Sequence, residues 1–265
     1  MPPVDSIVAE IAREHVAHVP FPLSHAELSD AAEKYMAFLD LPDEVKQSFS
    51  VKGGFEHNYG VLGYKDRRNE LGMDKKEFFH YHPGIEEYFS DNPHRTKPAV
   101  HSFIEAARAL DAAAASTLRT LLGVLSQKYP RAQDEYFSGN NRRTLLRFLK
   151  YDIAGKGNFL AKAHYDSGGC TLALAESAPG LRVGTVSEDL KPVSHTDHTA
   201  LFMPGLYFHE VTDTTFHPVW HDVIQTEENT HSETTARWAI VFFADGESQK
   251  ERPSREEVYT PRKFF

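Results

Sequence analysis

The tripeptide His164-Tyr165-Asp166 combines residue types that can perform metal chemistry. The surrounding residues 159–165 alternate as in a β-strand, and side chains two positions apart on a strand share a face. An imidazole and a carboxylate would therefore project side by side and supply two of the three ligands of a facial metal site. The alternative interpretation of so short a motif is a hydrogen-bonded histidine beside an exposed aspartate.

A third ligand and an anion-binding residue are predicted from later strands. His221 lies in the β-like run 216–223, and Arg237 opens another such run that extends to Ala244. On a strand Arg237 shares a face with Ala239, and an arginine buried there requires an anion, for which a carboxylate is the expected partner. His217 is the second candidate for the third ligand, and the other histidines that could fill this role are His195, His198, His209 and His231.

The elements that must position these residues fall into two regions. In residues 1–143 the apolar spacing is helical: Ser24 is a fair N-cap, and a long helix is predicted to begin near Pro98 and to end between Gly123 and Pro130. From Thr144 onward, short β-like runs are separated by glycine, proline, aspartate or serine, which indicates a sandwich or jelly roll. We therefore expect a helical and loop region, residues 1–143, packed on a jelly-roll core, residues 144–265, as one compact unit.

Composition restricts the partners and the compartment. The 265 residues carry a net charge of −9, which argues against nucleic acid or an anionic membrane as the main partner. A single cysteine, Cys170, excludes an internal disulfide and fits a reducing compartment. The first 20 residues do not resemble a signal peptide and no run approaches the length of a membrane span, so we expect a cytoplasmic protein. The sequence gives no indication of oligomeric state.

Five segments together resemble the isopenicillin N synthase-like family of iron(II)/2-oxoglutarate-dependent dioxygenases. They are similar, in order and spacing, to the family's N-terminal segment, its Leu-Arg-x-Asn-x-Tyr strand, its His-x-Asp-x-Gly-x-x-Thr-Leu motif, its Gly-Leu-x-Val strand and its His-Arg-Val segment. The corresponding residues here are 74–79, 146–151, 164–172, 180–183 and 221–223, with Gly205 at the position of a family turn glycine. The resemblance extends over roughly residues 41–244 and implies a double-stranded β-helix core.

The resemblance also implies a function and a set of site residues. His164, Asp166 and His221 would bind Fe(II), and Arg237 with the Tyr151 hydroxyl would hold the distal carboxylate of 2-oxoglutarate. The keto-acid end of 2-oxoglutarate would chelate the metal beside one position for O2. The implied reaction oxidises a small organic metabolite, for which an apolar pocket lined by Phe148 or Trp220 is expected, and converts 2-oxoglutarate to succinate and CO2. A retained carboxylate at Asp166 favours hydroxylation or desaturation over halogenation.

Departures from the family pattern leave two alternatives open. Ala239, Leu149 and Asp222 stand where the family has Ser, Asn and Arg. The polar side chains of the family's Ser and Asn could have served cosubstrate binding. One alternative is an iron-dependent oxidase on the same scaffold that does not use 2-oxoglutarate. The other is a non-catalytic jelly-roll binding or sensor protein, although structural metal sites usually close their coordination shell. The polar run 225–235 is interpreted as a loop or as a lid over the site.

Overall fold

A computed structural model describes residues 1–52, 61–71, 74–137, 143–155, 157–227, 235–249 and 251–262. Within these residues eight helices are formed: α1 (Val4–Glu14), α2 (His25–Leu39), α3 (Asp43–Gln47), α4 (Ile85–Tyr88), α5 (Pro98–Leu125), α6 (Arg131–Phe137), α7 (Leu206–Val211) and α8 (Arg255–Tyr259). The longest is α5, and no helix in this part of the chain is both long and apolar enough to span a bilayer.

Two of these helices begin where the sequence predicts, and α5 also ends within the predicted range. Ser24 caps α2 in a reciprocal capping box, in which its hydroxyl accepts from the Glu27 amide and the Glu27 carboxylate accepts from the Ser24 amide. Pro98 occupies the first turn of α5, where its missing N–H leaves no hydrogen bond unmade. The apolar stripe of α5 is buried against α2 and strand β5, which confirms a long helix packed along the outside of a sheet.

The described strands form two antiparallel sheets. The strands are β1 (Ala17–Pro20), β2 (Ser50–Lys52), β3 (Val61–Asp66), β4 (Lys76–Tyr81), β5 (Thr144–Tyr151), β6 (Phe159–His164), β7 (Cys170–Glu176), β8 (Leu181–Gly184), β9 (Lys191–Pro192), β10 (Thr199–Pro204), β11 (Trp220–Ile224) and β12 (Arg237–Ala244). The eight-stranded sheet has the order β1-β10-β7-β12-β5-β4-β3-β2, and the four-stranded sheet has the order β6-β11-β8-β9. Together they form the double-stranded β-helix, as the sequence predicts.

Side-chain alternation along the large sheet separates a helix-facing side from a cavity-facing side. On β5, Phe148 packs against Tyr35 of α2 and Phe103 of α5, with ring centroids 5.6 and 5.1 Å apart. Its neighbours Leu149 and Tyr151 point the other way and join a second apolar cluster that includes residues of the small sheet. The two sheets therefore face each other across a cavity, and the helices α2 and α5 cover the opposite side of the large sheet.

Some elements differ from the sequence-based expectation. Strands β1 to β4 come from residues 1–143, and β4 pairs directly with β5, so both regions contribute to one sheet. Strand β11 begins at Trp220 rather than at residue 216, because Pro218 has no N–H to donate to a ladder. Residues 228–234, within the predicted loop or lid, lie outside the described residues.

Candidate metal centre

His164 and His221 lie side by side on neighbouring strands of the small sheet. They are direct partners in the antiparallel pairing of β6 with β11, and their ring centroids are 4.3 Å apart. The register of this pairing shifts between His221 and Val223, so both Ala161 and His164 of β6 line the cavity. A β-bulge of this kind commonly re-aims a side chain next to a functional site.

Asp166 reaches the same point from a segment that follows β6. The strand ends at His164, so the expectation that His164 and Asp166 share a strand face is wrong, although their side chains do converge. Thr171 of β7 donates its hydroxyl to Asp166 Oδ2 at 2.6 Å, and Asp166 Oδ1 lies 3.9 Å from His164 Nε2. One donor atom from each of His164, Asp166 and His221 lies within 4.8 Å of the other two.

The turn between β10 and α7 holds the Asp166 segment in place. The amides of Gly205 and Leu206 donate to the carbonyls of Gly169 and Asp166 at 2.8 and 3.0 Å. A Cβ atom at Gly205 would lie 2.4 Å from the Gly168 carbonyl oxygen. This distance is a steric clash, and only a movement of the backbone could remove it. Glycine is therefore required at Gly205 by close approach of two backbones.

The hydrogen bonds of the two histidines define which ring nitrogen faces the centre. His164 Nδ1 lies 2.7 Å from the Lys162 carbonyl oxygen, and His221 Nδ1 lies 3.1 Å from the Val219 carbonyl oxygen. Because a carbonyl oxygen only accepts, each Nδ1 must carry a proton, and Nε2 is the ring nitrogen that a metal could bind. This is the outer-shell arrangement that orients histidine ligands in metal proteins.

The pKa values of His164 and Asp166 are shifted in the directions that suit metal ligands. Burial, together with the neighbouring His221, lowers the pKa of His164 to about 4, so its ring is neutral at pH 7. Burial opposes ionisation of Asp166, but His221 and His164 outweigh it and hold the pKa of this carboxyl below its ordinary value. Two imidazoles and one carboxylate form the donor set that non-haem Fe(II) oxygenases use, so these residues fit such a metal.

The hydroxyl of Thr171 offers a test of this arrangement. Replacement by valine removes the hydrogen bond to Asp166 and leaves the shape of the side chain nearly unchanged, so we expect Fe(II) affinity to fall by about 10- to 100-fold. Thr144→Val is a matched control, because Thr144 is equally buried and its hydroxyl has no hydrogen-bond partner among the described residues. Anaerobic Fe(II) titration of both variants measures the effect, and equal affinities would refute a role for Thr171.

Arg237 and Tyr151 lie in the same cavity as the three ligand candidates. They are direct partners in the pairing of β12 with β5, and the Arg237 guanidinium lies 6.0 Å from the centroid of the Tyr151 ring. Arg237 is 2% exposed, and burial lowers its pKa to about 10, so it remains charged at neutral pH. Burial raises the pKa of Tyr151 to about 12, so its hydroxyl remains protonated.

Arg237 already has an anionic partner within the chain. Its Nη2 donates to the carboxylate of Glu176, the last residue of β7, whereas its Nε has no acceptor among the described residues. Glu176 is not recognisable from the sequence, because the contact depends on which residue of β7 pairs with Ala239. Lys76 of β4 and Arg147 of β5, which also line the cavity, were likewise missed as site residues.

The other histidines considered for the third ligand lie elsewhere. His217 is exposed, precedes β11 and packs against His209, with ring centroids 5.5 Å apart. His195 lines the cavity near Arg237 rather than at the ligand cluster, and His198 is exposed on a backbone with φ of 54°. His231 lies outside the described residues. The structure therefore brings His221, and not His217, to His164 and Asp166.

Packing accounts for several other residues that the sequence singled out. Asp222, which stands where the family has arginine, is held by two hydrogen bonds from Arg182 on the neighbouring strand β8, at 2.9 and 2.6 Å. Phe148 and Trp220, which the sequence suggested for an apolar pocket, do not line the cavity: Phe148 faces the helices, and Trp220 packs on Tyr165. Cys170 is buried, and burial raises its pKa, as expected of a structural thiol.

Comparison with known proteins gives matches in structure only. The chain matches no protein-family model and no curated protein. Similar solved structures include a full-length Neurospora crassa protein in complex with alpha-KG and thymine, with a TM-score of 0.69, 15% identity, and coverage of 96% of this chain and 85% of that one. AtDAO1, dioxygenase for auxin oxidation 1 of Arabidopsis thaliana, in complex with 2-oxoglutarate, has a TM-score of 0.69, 17% identity, and coverage of 96% and 91%.

A third similar structure is JOX2 in complex with 2OG, Fe and JA, with a TM-score of 0.67, 19% identity, and coverage of 97% of this chain and 75% of that one. At identities of this size the similarity shows a shared fold. The double-stranded β-helix of this chain is thus the fold of several proteins that are solved with 2-oxoglutarate, a named dioxygenase among them.

Proposed function

We propose that this protein is a non-haem Fe(II)- and 2-oxoglutarate-dependent dioxygenase of the isopenicillin N synthase-like family. It would hydroxylate or desaturate a small organic metabolite and release succinate and CO2. The observation that carries the proposal is the convergence of His164, Asp166 and His221 in a cavity that also contains the buried cation Arg237. A buried arginine facing a candidate metal site suits an anionic cosubstrate.

Each group of residues has a role in the proposed reaction. The Nε2 atoms of His164 and His221 and the carboxylate of Asp166 would hold Fe(II), which when bound activates O2 for oxidation of carbon–hydrogen bonds. Arg237 and the Tyr151 hydroxyl would hold the distal carboxylate of 2-oxoglutarate. Apolar side chains on both sheets, among them Leu149, line the cavity and keep water from the reacting groups.

The positions of further cations support an anionic ligand beside the metal. Lys76 and Arg147 line the cavity of about 90 Å³ that contains the three ligand candidates and Arg237. A second cavity of about 190 Å³ shares His164, Asp166 and Arg147 with the first and extends toward Tyr259 of α8. We propose that the second cavity receives the organic substrate, which is consistent with the compact ligands thymine and JA of the similar structures.

Lys76 makes the binding of anions in this cavity depend on pH. Burial, with the charges of Arg147 and Arg67 outweighing that of Asp74, lowers the pKa of Lys76 to about 8, and the Tyr151 ring lies 5.5 Å from its Nζ. Because the ammonium is present only below this pKa, we expect 2-oxoglutarate affinity to fall as pH rises through about 8. Lys76→Met should remove that dependence, whereas Lys191→Met, at an exposed lysine, should keep it. Anaerobic titrations from pH 6.5 to 9.5 measure the effect, and an unchanged profile in Lys76→Met would contradict it.

An oxidase that does not use 2-oxoglutarate is the second candidate. It is favoured by the contact of Arg237 with Glu176 and by the apolar residues Leu149 and Ala239 at positions that could have bound the cosubstrate. In that case a carboxylate of the organic substrate would take the place of the 2-oxo acid.

Product analysis separates the two candidates. The Fe(II)-loaded protein is incubated aerobically with 2-oxoglutarate, and O2 consumption, CO2 and succinate are measured together. The dioxygenase predicts CO2 and succinate in equal amounts, with slow uncoupled turnover even without a substrate, and no turnover in Asp166→Ala. Oxygen consumption with an added metabolite but without succinate would favour the oxidase. Fe(II) binding without any oxygen consumption would contradict both.

A further inference from the structure

The Arg237 guanidinium, the proposed anchor for the cosubstrate, is occupied by a carboxylate of the protein itself. We propose that Glu176 competes with the distal carboxylate of 2-oxoglutarate for Arg237 and thereby sets the affinity and selectivity for the 2-oxo acid. The inference rests on the proposed function, because it concerns the same site. The Glu176 carboxylate and the distal carboxylate of the ligand would compete for one buried cation, Arg237.

The strand register places the two side chains together. In the pairing of β12 with β7, Glu176 is opposite Ala239, and Ala239 is two residues from Arg237 on the same face of β12. A methyl group at Ala239 leaves space for the Glu176 carboxylate and supplies no hydroxyl for a ligand. The side chains of Arg237 and Glu176 are only 2% and 8% exposed, so water compensates neither charge.

The histidine beside Glu176 does not neutralise its carboxylate. His195 Nδ1 lies 3.9 Å from Glu176 Oε1, and His195 Nε2 lies 3.0 Å from the Ala173 carbonyl oxygen and so carries the ring proton. Burial lowers the pKa of His195 to about 4, so its ring adds no positive charge at pH 7. Among the described residues, Arg237 is therefore the cation that this buried carboxylate contacts.

Binding of a second carboxylate to Arg237 is energetically unfavourable while Glu176 occupies it. Two carboxylates that share one buried guanidinium repel each other, so one must be protonated or displaced. Displacement of Glu176 would leave an uncompensated charge in the interior, which is strongly unfavourable. A 2-oxo acid with an uncharged tail leaves the ion pair intact and avoids this cost. The ion pair should therefore weaken binding of 2-oxoglutarate relative to 2-oxopentanoate, which has the same carbon chain without the distal carboxylate.

The test compares both acids in two variants. Glu176→Gln keeps a side-chain oxygen next to Arg237 but removes the competing charge. Glu135→Gln is the matched control, because Glu135 is also 8% exposed and is absent from the residues that line the cavity. Anaerobic calorimetric titration of the Fe(II)-loaded proteins measures both affinities. We expect Glu176→Gln to bind 2-oxoglutarate at least about tenfold more tightly, with 2-oxopentanoate nearly unchanged, and Glu135→Gln to resemble the wild type.

Three outcomes would overturn the proposal. Weaker binding of 2-oxoglutarate by Glu176→Gln would mean that Glu176 positions Arg237 for the cosubstrate. Unchanged binding would mean that the distal carboxylate does not use Arg237, and equal tightening for both acids would indicate a general opening of the cavity. If Glu176→Gln does not fold, Glu176→Ser provides the same comparison. Failure of the proposed function is distinguishable, because neither acid would then bind in an Fe(II)-dependent manner to any variant.

Discussion

Replacing His221 with alanine is expected to lower Fe(II) affinity by more than a factor of about 100 and to abolish oxygenase activity. The loss of a direct ligand should exceed the 10- to 100-fold effect that is typical of outer-shell partners. His164 and Asp166 alone would leave a two-ligand site, which competes poorly with water for Fe(II). Anaerobic Fe(II) titration, followed by measurement of succinate formation, gives both quantities.

His217→Ala is the control for this experiment. His217 is four residues from His221 and is the alternative that sequence reasoning placed second, but it is exposed and packs on His209. Its removal should leave Fe(II) affinity and activity near the wild-type values. Normal Fe(II) binding in His221→Ala, or loss of binding in His217→Ala, would contradict the assignment of the third ligand.

Replacing Arg237 with methionine is expected to reduce the free energy of unfolding by about 3–5 kcal/mol. The substitution removes the partner of Glu176 and leaves a buried carboxylate without a counter-charge. Removing one partner of a buried ion pair is strongly destabilising, because the remaining charge is uncompensated. Urea unfolding of the metal-free protein measures the change. Metal-free protein is used because ligand binding at the centre would otherwise add to stability.

The double variant Arg237→Met/Glu176→Leu separates the cost of an unpaired charge from the loss of packing. When both charges are replaced by apolar side chains of similar size, stability should return to within about 1–2 kcal/mol of the wild type. If the single and double variants are equally unstable, packing at Arg237 rather than the ion pair determines the effect. A single variant as stable as the wild type would show that Glu176 is not charged in the folded protein.

Local signals in the sequence were sufficient to predict the main helices and the β-rich second half of the chain. Helix α5 follows from one continuous apolar stripe behind Pro98, and α2 follows from the cap at Ser24, because both depend on residues close together in the chain. The short β-like runs from Thr144 onward indicated a sandwich or jelly roll, and the resemblance to the dioxygenase family implied the double-stranded β-helix. The strands among residues 1–143 were less evident, because short strands such as β1 and β2 are stabilised by pairing with distant partners rather than by their own pattern.

The site was predictable where residue type and spacing agree with the family resemblance. His164, Asp166, His221, Arg237 and Tyr151 are residues that the structure brings to one cavity. The reason given for His164 and Asp166 was wrong, since β6 ends at His164 and the hydroxyl of Thr171 and the turn at Gly205 place the carboxylate. The expected apolar lining by Phe148 and Trp220 failed because both face away from the cavity.

Glu176 and Lys76 could not be found from the sequence. Glu176 reaches Arg237 because it lies opposite Ala239 in the pairing of β12 with β7. This pairing contains a register shift, and such shifts are not visible in the sequence of one strand. Lys76 acts on the cavity because β4, from the first half of the chain, pairs with β5 so that Lys76 is opposite Tyr151. Both contacts therefore depend on long-range register, whereas the ligand candidates are recognisable from residue type and spacing.

The most direct test of the central claim is an anaerobic optical titration. Fe(II) and then increasing concentrations of 2-oxoglutarate, up to saturation, are added to the protein, and the visible metal-to-ligand charge-transfer band is recorded at each step. We expect the band to form in the wild type, to form at lower 2-oxoglutarate concentration in Glu176→Gln, and to be absent in His221→Ala. If Fe(II) binds but no band forms in either the wild type or Glu176→Gln at any 2-oxoglutarate concentration, the protein does not use this cosubstrate, and the dioxygenase assignment is wrong.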